Sequence, residues 1–367
     1  MKRIQVIDLV RTFSIFSVLA YHWALTRLVP VNLQGWPAWL WGRVAYNGSL
    51  GVCAFFVVSG FLITRLLAEQ PEGLLRPNLF DFYKRRIGRI VPLLLLIVLL
   101  GWILIHTAAN SPALEMCFKQ KNAIFRPVLW LSLVTFTFNW YVTLFSGSPY
   151  IGMQWDLLWS ISIEEQFYLF YPLLLRKCSN KKELVQLLVL LFLLGQVIRW
   201  INVWFYPEAL SYNSFQSFDQ IALGCLLYLA QDRFGGLLRK RRMASFFCCC
   251  LGLVLGSFIY FHVPIHPELW WAMCNKPLFA LGVCLFLLGG LNLSLFEKGL
   301  FKSLAFPGKL SYGIYLLHVW VLYLLWDTLK QENVIGGLLE LTAAVLILAW
   351  ISYRYFEMPV NLWIRKR

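Results

Sequence analysis

Charge is scarce in this chain. Asp, Glu, Lys and Arg make up 14% of its 367 residues, against about a quarter in soluble globular proteins. Acid is scarcer still, with 18 Asp and Glu against 33 Lys and Arg. No polar stretch is long enough to build a soluble domain. With 59% apolar residues, 17% aromatics and a mean hydropathy of +0.65, the apolar surplus exceeds what one core can bury, so lipid must be its solvent. A soluble enzyme is thereby excluded. No internal repeat is visible, and no small-residue cleavage pattern follows Trp23, so the basic and then apolar start is a retained first span. Metal-ligand spacing is absent from the nine cysteines: Cys53, Cys225, Cys274 and Cys284 lie inside apolar runs, and Cys248, Cys249 and Cys250 are consecutive. In such runs a free thiol packs as a small hydrophobe. His262 and His266 flank Pro264, which spoils the helical spacing a metal pair uses. No metal and no bound cofactor is expected. The net charge of +15 is carried by short basic clusters that punctuate apolar runs, the pattern of a multi-span membrane protein and not of a nucleic-acid-binding surface.

What is present is a series of apolar runs. At about 20 residues per span, ten are expected, over 9–29, 46–66, 90–108, 154–175, 184–204, 214–231, 243–263, 270–291, 310–328 and 335–355. An even number puts both termini on one side. The segments on that side hold most of the basic residues, among them Arg85, Arg86 and Arg89, Arg176 and Lys177, and Arg239 through Arg242, so both termini are placed in the cytoplasm. The stretch 127–149 is apolar and aromatic but would break the parity if it crossed; it is expected to be re-entrant or interfacial on the outer side. The expected architecture is all-α, a polytopic membrane helical bundle forming one membrane-embedded domain over 1–367 with no added soluble domain.

Ionisable groups inside spans cost about 2.5–3.5 kcal/mol each even on the lenient insertion scale, so they mark interior cavities and function. In the first span Asp8, Arg11, Ser14, Val18 and His22 follow at steps of three or four and share one helical face. Arg11 falls near the cytoplasmic mouth and His22 about 16 Å along the axis, well into the membrane. Ser59 and Gly60 follow two adjacent phenylalanines in the second span, either as a close helix-packing point or as a ligand contact. Arg85, Arg86 and Arg89 precede the third span; positive-inside anchoring explains them, and so does an anion site, since Arg86 and Arg89 share a face and guanidinium forks bind phosphate. The fourth span sets Asp156, Ser160 and Glu164 on one face, with Glu165 and Gln166 beside them. Asp219 is a further buried acid, and Ser311, Tyr315 and His318 share a face of the ninth span. These last can be structural hydrogen-bonding partners as well as chemical groups. Glu357, three residues after Arg354, is expected to form a helix-end ion pair with it. Trp36, Trp39, Trp41, Trp270 and Trp271 fall near the outer face, as an interfacial belt or as stacking platforms for sugar rings.

The segments DLVRTFSIFSVLAYH, FFVVSGFLIT, RRIGRIVP, WSISIEEQFYLFYP, SYGIYLLH and FEMP, in this order from Asp8 to Pro359, resemble the acyltransferase-3 family of integral membrane acyltransferases. That family modifies sugars, cell-envelope polysaccharides and some small molecules. The resemblance implies a membrane core of about ten spans, in a bacterial inner membrane, and acyl groups taken from cytoplasmic coenzyme A thioesters, most often acetyl-CoA, which is a substrate and not a resident cofactor. It implies that Arg11 and His22 occupy the functional first-span positions, that Arg86 and Arg89 match the basic motif, and that Glu164 matches the acidic one. Some members carry an added extracytoplasmic hydrolase-like domain. This chain ends at Arg367 just after its last span, so it is expected to deliver the acyl group itself or to hand it to a separate protein. Asp219 departs from the pattern, with Ser217 and Phe218 where an arginine is expected before the acid.

Together these readings predict that Arg11, Arg86 and Arg89 bind the donor phosphates and that neutral His22 acts as general base on an acceptor hydroxyl, or forms a covalent acyl-histidine. Glu164 is expected to orient the imidazole or the sugar, with Asp8, Ser59, Asp219 and His318 in support. The partners expected are membrane lipid, acetyl-CoA and a glycan or lipid-linked sugar such as a lipopolysaccharide O-antigen repeat. A proton-coupled transporter is the competing reading, because many spans with buried ionisable groups also describe a carrier.

Overall fold

The computed structural model describes residues 3–26, 36–107, 127–145, 155, 157–205, 213–262, 269–329 and 333–366. Helices account for its regular structure: α1 (Gln5–Thr26), α2 (Trp36–Tyr46), α3 (Ser49–Ala68), α4 (Leu79–Thr107), α5 (Pro127–Val134), α6 (Phe138–Phe145), α7 (Leu158–Lys177), α8 (Lys181–Phe205), α9 (Ser214–Lys240), α10 (Arg242–His262), α11 (Leu269–Gly290), α12 (Gly299–Leu304), α13 (Phe306–Lys309), α14 (Ser311–Leu324), α15 (Trp326–Leu329), α16 (Val334–Ser352) and α17 (Met358–Lys366). A π-helical turn, Tyr353–Glu357, joins the last two. Among the described residues there is no strand.

Several of the long helices start at an asparagine. The Asn78 side chain accepts the Asp81 N–H at 3.1 Å, Asn180 that of Glu183 at 3.0 Å, Asn213 those of Phe215 and Gln216 at 3.0 and 3.4 Å, and Asn333 that of Gly336 at 2.7 Å. Glu183 also reaches back to the Ser179 N–H at 2.7 Å, close to a capping box. Each cap satisfies amides that would otherwise be orphaned at a helix start, and is worth about 1 kcal/mol.

α8 buries its polar groups and exposes an apolar stripe. On α8, Leu190, Leu193, Leu194, Val197 and Ile201 are exposed along one stripe, while Gly195, Arg199 and Asn202 are buried on the opposite face. A water-soluble helix has the reverse arrangement; exposed leucine over buried arginine is what a hydrocarbon solvent selects. Seven helices among the described residues are long and apolar enough to cross a membrane, and the protein is an integral multi-pass membrane protein.

Each of the ten expected runs falls on a helix, yet α1, α7 and α14 lie outside those seven. Asp8, Arg11 and His22 lower the hydropathy of α1, Glu164, Glu165 and Gln166 that of α7, and the 310–328 run is broken at Leu325 into α14 and α15. The polar groups that suggest function are thus those that weaken the membrane signal. α4 begins at Leu79, eleven residues before the expected start, so Arg85, Arg86 and Arg89 ride on the helix itself and not on a preceding loop. Residues 127–145 form two eight-residue helices, each about 12 Å long and too short to cross; they are joined by a turn in which Phe136 has φ +53°.

The chain divides into two compact units. One comprises Met1–Pro77 and Ile163–Lys309, the other Asn78–Ser162 and Leu310–Arg367. In the first, α3 and α9 pack backbone to backbone. A Cβ on Gly60 would lie 1.9 Å from the Ile221 carbonyl oxygen, and one on Gly224 would lie 2.0 Å from that of Val57. Small residues permit such approach in membrane bundles. In the second unit, α17 packs along α4, with Ile364 against Gly88.

Candidate functional site

In the first unit α1 carries the leading candidates. The Asp8 carboxylate meets Arg11 Nη1 at 3.4 Å, one helical turn on, and Arg3 Nη1 at 3.4 Å. Asp8 and Arg11 are both buried. The turn at α13 is seated on this part of α1. Gly308 donates its N–H to Thr12 Oγ1 at 2.8 Å, and a Cβ there would fall 1.9 Å from the Asp8 carbonyl oxygen, so glycine alone fits.

His22 lies three turns further on and is half-buried, its ring edge against Tyr21 with centroids 5.3 Å apart. Its Nδ1 stands 2.9 Å from the Val18 carbonyl oxygen. A carbonyl can only accept, so Nδ1 carries a proton, and in the neutral ring the lone pair sits on Nε2. The ring is therefore oriented by its own helix. The expectation that Glu164 orients this imidazole is not what holds Nδ1.

Glu164 instead gathers hydroxyls. Ser59 Oγ on α3 and Tyr168 Oη, one turn along α7, both donate to its Oε1. The Ser-Gly pair of the second span is thus a close helix-packing point, Gly60 seating α3 on α9, while Ser59 contacts the acid. A second tie between α3 and α7 lies one turn on, where Thr64 Oγ1 and Tyr171 Oη are 3.0 Å apart. Ser214 Oγ donates to Gln166 at 2.6 Å and fastens α9 to the same helix. Asp156 lies outside the described residues.

Asp219 has an arginine after all, from another helix. Arg199 Nη2 on α8 lies 2.5 Å from Asp219 Oδ2, and the two residues are 1% and 0% exposed. Gln196 Nε2 donates to the same oxygen at 2.7 Å, and Arg199 also donates to the Gln216 carbonyl at 3.0 Å. Lys276 on α11 is within electrostatic reach of both charges. Arg199 and Lys276 lie inside the expected runs 184–204 and 270–291, and sequence reasoning missed both as partners of this acid. It missed Tyr168 too, although a tyrosine four residues after the acid is on its face.

In the second unit Arg86 is buried and Arg89 exposed on α4, and Arg85 pairs with Asp81 at 2.8 Å. His318 is wholly buried, its Nδ1 3.1 and 2.8 Å from the Ile314 and Tyr315 carbonyls, which again fixes the proton at Nδ1. Tyr315 Oη donates to the Leu157 carbonyl at 2.9 Å and is 2.6 Å from Ser160 Oγ. The expected Glu357–Arg354 ion pair is absent. Glu357 accepts from Ser352 Oγ at 3.1 Å and lies against Gly313. The wider π turn, closing i to i+5, takes residue i+3 off the position over its partner.

The aromatics expected near the outer face are partly occupied with one another. Trp270 stacks on Trp271 with centroids 4.4 Å apart, and Trp39 lies between Phe261 and the Arg43 guanidinium. His262 stacks on Phe258 at 4.4 Å. His266 and the Trp36 side chain lie outside the described residues. Among the described residues no group of three or more His, Cys, Asp or Glu is placed to hold a metal.

No solved structure matches the chain significantly. Among curated proteins it is similar to an O-acetyltransferase OatA of Staphylococcus aureus, 26% identical over 97% of this chain and 57% of the relative. It is likewise similar to a peptidoglycan O-acetyltransferase OatA of Listeria monocytogenes, 27% identical over 98% and 56%. A putative peptidoglycan O-acetyltransferase YrhL of Bacillus subtilis is 26% identical over 97% and 54%. The chain thus spans little more than half the length of these relatives. The family described as an acyltransferase domain matches residues 4–116 and 108–354, and with nearly the whole sequence covered the chain belongs to this acyltransferase family, acyltransferase-3.

Proposed function

We propose that the protein is a membrane O-acetyltransferase that moves an acetyl group from cytoplasmic acetyl-CoA to a hydroxyl of a cell-envelope glycan, such as the O-antigen of lipopolysaccharide. The relatives' names, which specify peptidoglycan, support the glycan class and add a second acceptor to be tested. The observation that carries the reading is His22. An imidazole on a membrane-embedded helix, its Nδ1 proton fixed on the Val18 carbonyl, offers Nε2 as a base of set direction.

In this reading the acceptor oxygen attacks the thioester carbonyl while its proton passes to Nε2. The new C–O bond forms, the C–S bond breaks, and the coenzyme A thiolate leaves and takes the proton back from the imidazolium. Arg11, Arg86 and Arg89 are the donor-binding residues, suited to phosphate by their forked guanidinium groups. Glu164 serves the acceptor, and Asp8, Ser59, Asp219 and His318 support these groups. The membrane is a bacterial inner membrane, with the donor on its cytoplasmic side.

The test is transfer of radiolabel from acetyl-CoA into the glycan fractions of membranes expressing this chain, beside His22→Ala at equal abundance. Label that depends on His22 is the expected result, and its fraction, lipopolysaccharide or peptidoglycan, names the acceptor. Full transfer by His22→Ala would overturn the mechanism, and substrate flux without coenzyme A would favour a transporter.

A further inference from the structure

We infer that Ser59 and Tyr168 are positioning residues that clamp one oxygen of Glu164 so that the other, Oε2, is presented to a hydroxyl of the acceptor glycan. The inference rests on the acyl-transfer reading above. Both hydroxyls donate to Oε1 and neither to Oε2. Oε2 has no hydrogen-bond partner among the described residues, and Glu164 is half-buried, not sealed. A carboxylate has about four acceptor sites over its two oxygens. Donors that merely satisfied it would be shared between them. Here one donor comes along the helix and one from across it, which fixes both the tilt of the group and its rotation, and so the direction of Oε2.

The mounting is stiff. Ser59 precedes Gly60, where α3 touches the α9 backbone, and Thr64 ties α3 to Tyr171 of α7 one turn away. An ionised carboxylate only accepts hydrogen bonds. The phosphates of acetyl-CoA would be repelled by it and the thioester has no donor to offer, whereas a sugar carries several hydroxyls. The fixed oxygen therefore belongs to the acceptor end of the reaction, where it orients the sugar that His22 deprotonates.

The experiment measures transfer of radiolabelled acetyl groups into the native envelope glycan of membranes holding equal amounts of each variant. Ser59→Ala and Tyr168→Phe are each expected to lower the maximal rate about tenfold, as for one lost hydrogen bond to a charged group. The KM for acetyl-CoA stays unchanged. Ser59→Thr, which keeps the hydroxyl, retains a rate within about twofold, and Ser59→Ala adds no further loss to Glu164→Gln. Should Tyr168→Phe fail to accumulate, the two Ser59 variants decide. A raised acetyl-CoA KM, a Ser59→Thr as poor as Ser59→Ala, or losses that add on Glu164→Gln would overturn the inference. Absence of label with the unmodified protein would overturn the acyl-transfer reading itself, and this inference with it.

Discussion

The buried charges of α8 and α9, with Lys276 of α11 within reach, allow a prediction of both order and size. Arg199 and Asp219 form an ion pair at 2.5 Å with almost no exposure. Removing one member of such a pair costs about 3–5 kcal/mol, whereas replacing both by apolar groups is near neutral. The two single losses are not equivalent here, because Lys276 acts on the same pair. Asp219→Asn leaves Arg199 without its anion and with the Lys276 cation within electrostatic reach. Arg199→Met leaves Asp219 with the Gln196 amide at 2.7 Å and the Lys276 ammonium nearby. Asp219→Asn should therefore fall at the upper end, about 5 kcal/mol, and Arg199→Met at the lower, about 3 kcal/mol. The double variant Arg199→Met with Asp219→Leu should regain most of the loss, and Lys276→Met should partly rescue Asp219→Asn. The assay is the midpoint of thermal unfolding in detergent, followed by tryptophan fluorescence. Equal midpoints for the two single variants, with no rescue by Lys276→Met, would refute the reasoning.

Two glycines of the same unit should answer alanine in opposite ways. Gly60→Ala places a methyl 1.9 Å from a backbone carbonyl that cannot turn aside, and should abolish monodisperse protein in gel filtration. Gly236→Ala in α9 meets nothing within 4 Å and should raise the thermal midpoint through about 0.5–1 kcal/mol of backbone entropy. In the second unit, Tyr315→Phe removes the hydroxyl that joins Ser160 and the Leu157 carbonyl. It should cost about 1–2 kcal/mol, read as a lower midpoint for that variant than for the wild type.

The fold was legible because lipid simplifies the sequence. Apolar runs of about 20 residues have one use in such a chain, and the runs fell on helices, seven of which among the described residues are long and apolar enough to cross. Boundaries were harder to place. α4 starts at Leu79, where Asn78 caps it, and helical turns carrying Arg85, Arg86 and Arg89 have no hydropathy signal. The fracture at Leu325 and the π turn at 353–357 were also hidden. Both change hydrogen-bond closure without changing composition, and periodicity registers only composition.

The candidate site was legible as a set of residues and not as a set of pairs. An insertion cost singles out Asp8, Arg11, His22, Glu164 and Asp219 one at a time, but it does not say who meets whom. Partners within one helix turn can be read from spacing, as Asp8 with Arg11 and Tyr168 with Glu164 show. Partners across helices depend on rotation and depth, which sequence spacing leaves open. Asp219 makes the point. The arginine sought just before it is supplied by Arg199, twenty residues upstream on the preceding helix, α8. The chemical demand was readable, a buried acid requiring a cation; its address was not. Arg199 and Lys276, cations inside a run before and a run after the one that holds Asp219, are the residues that meet this demand.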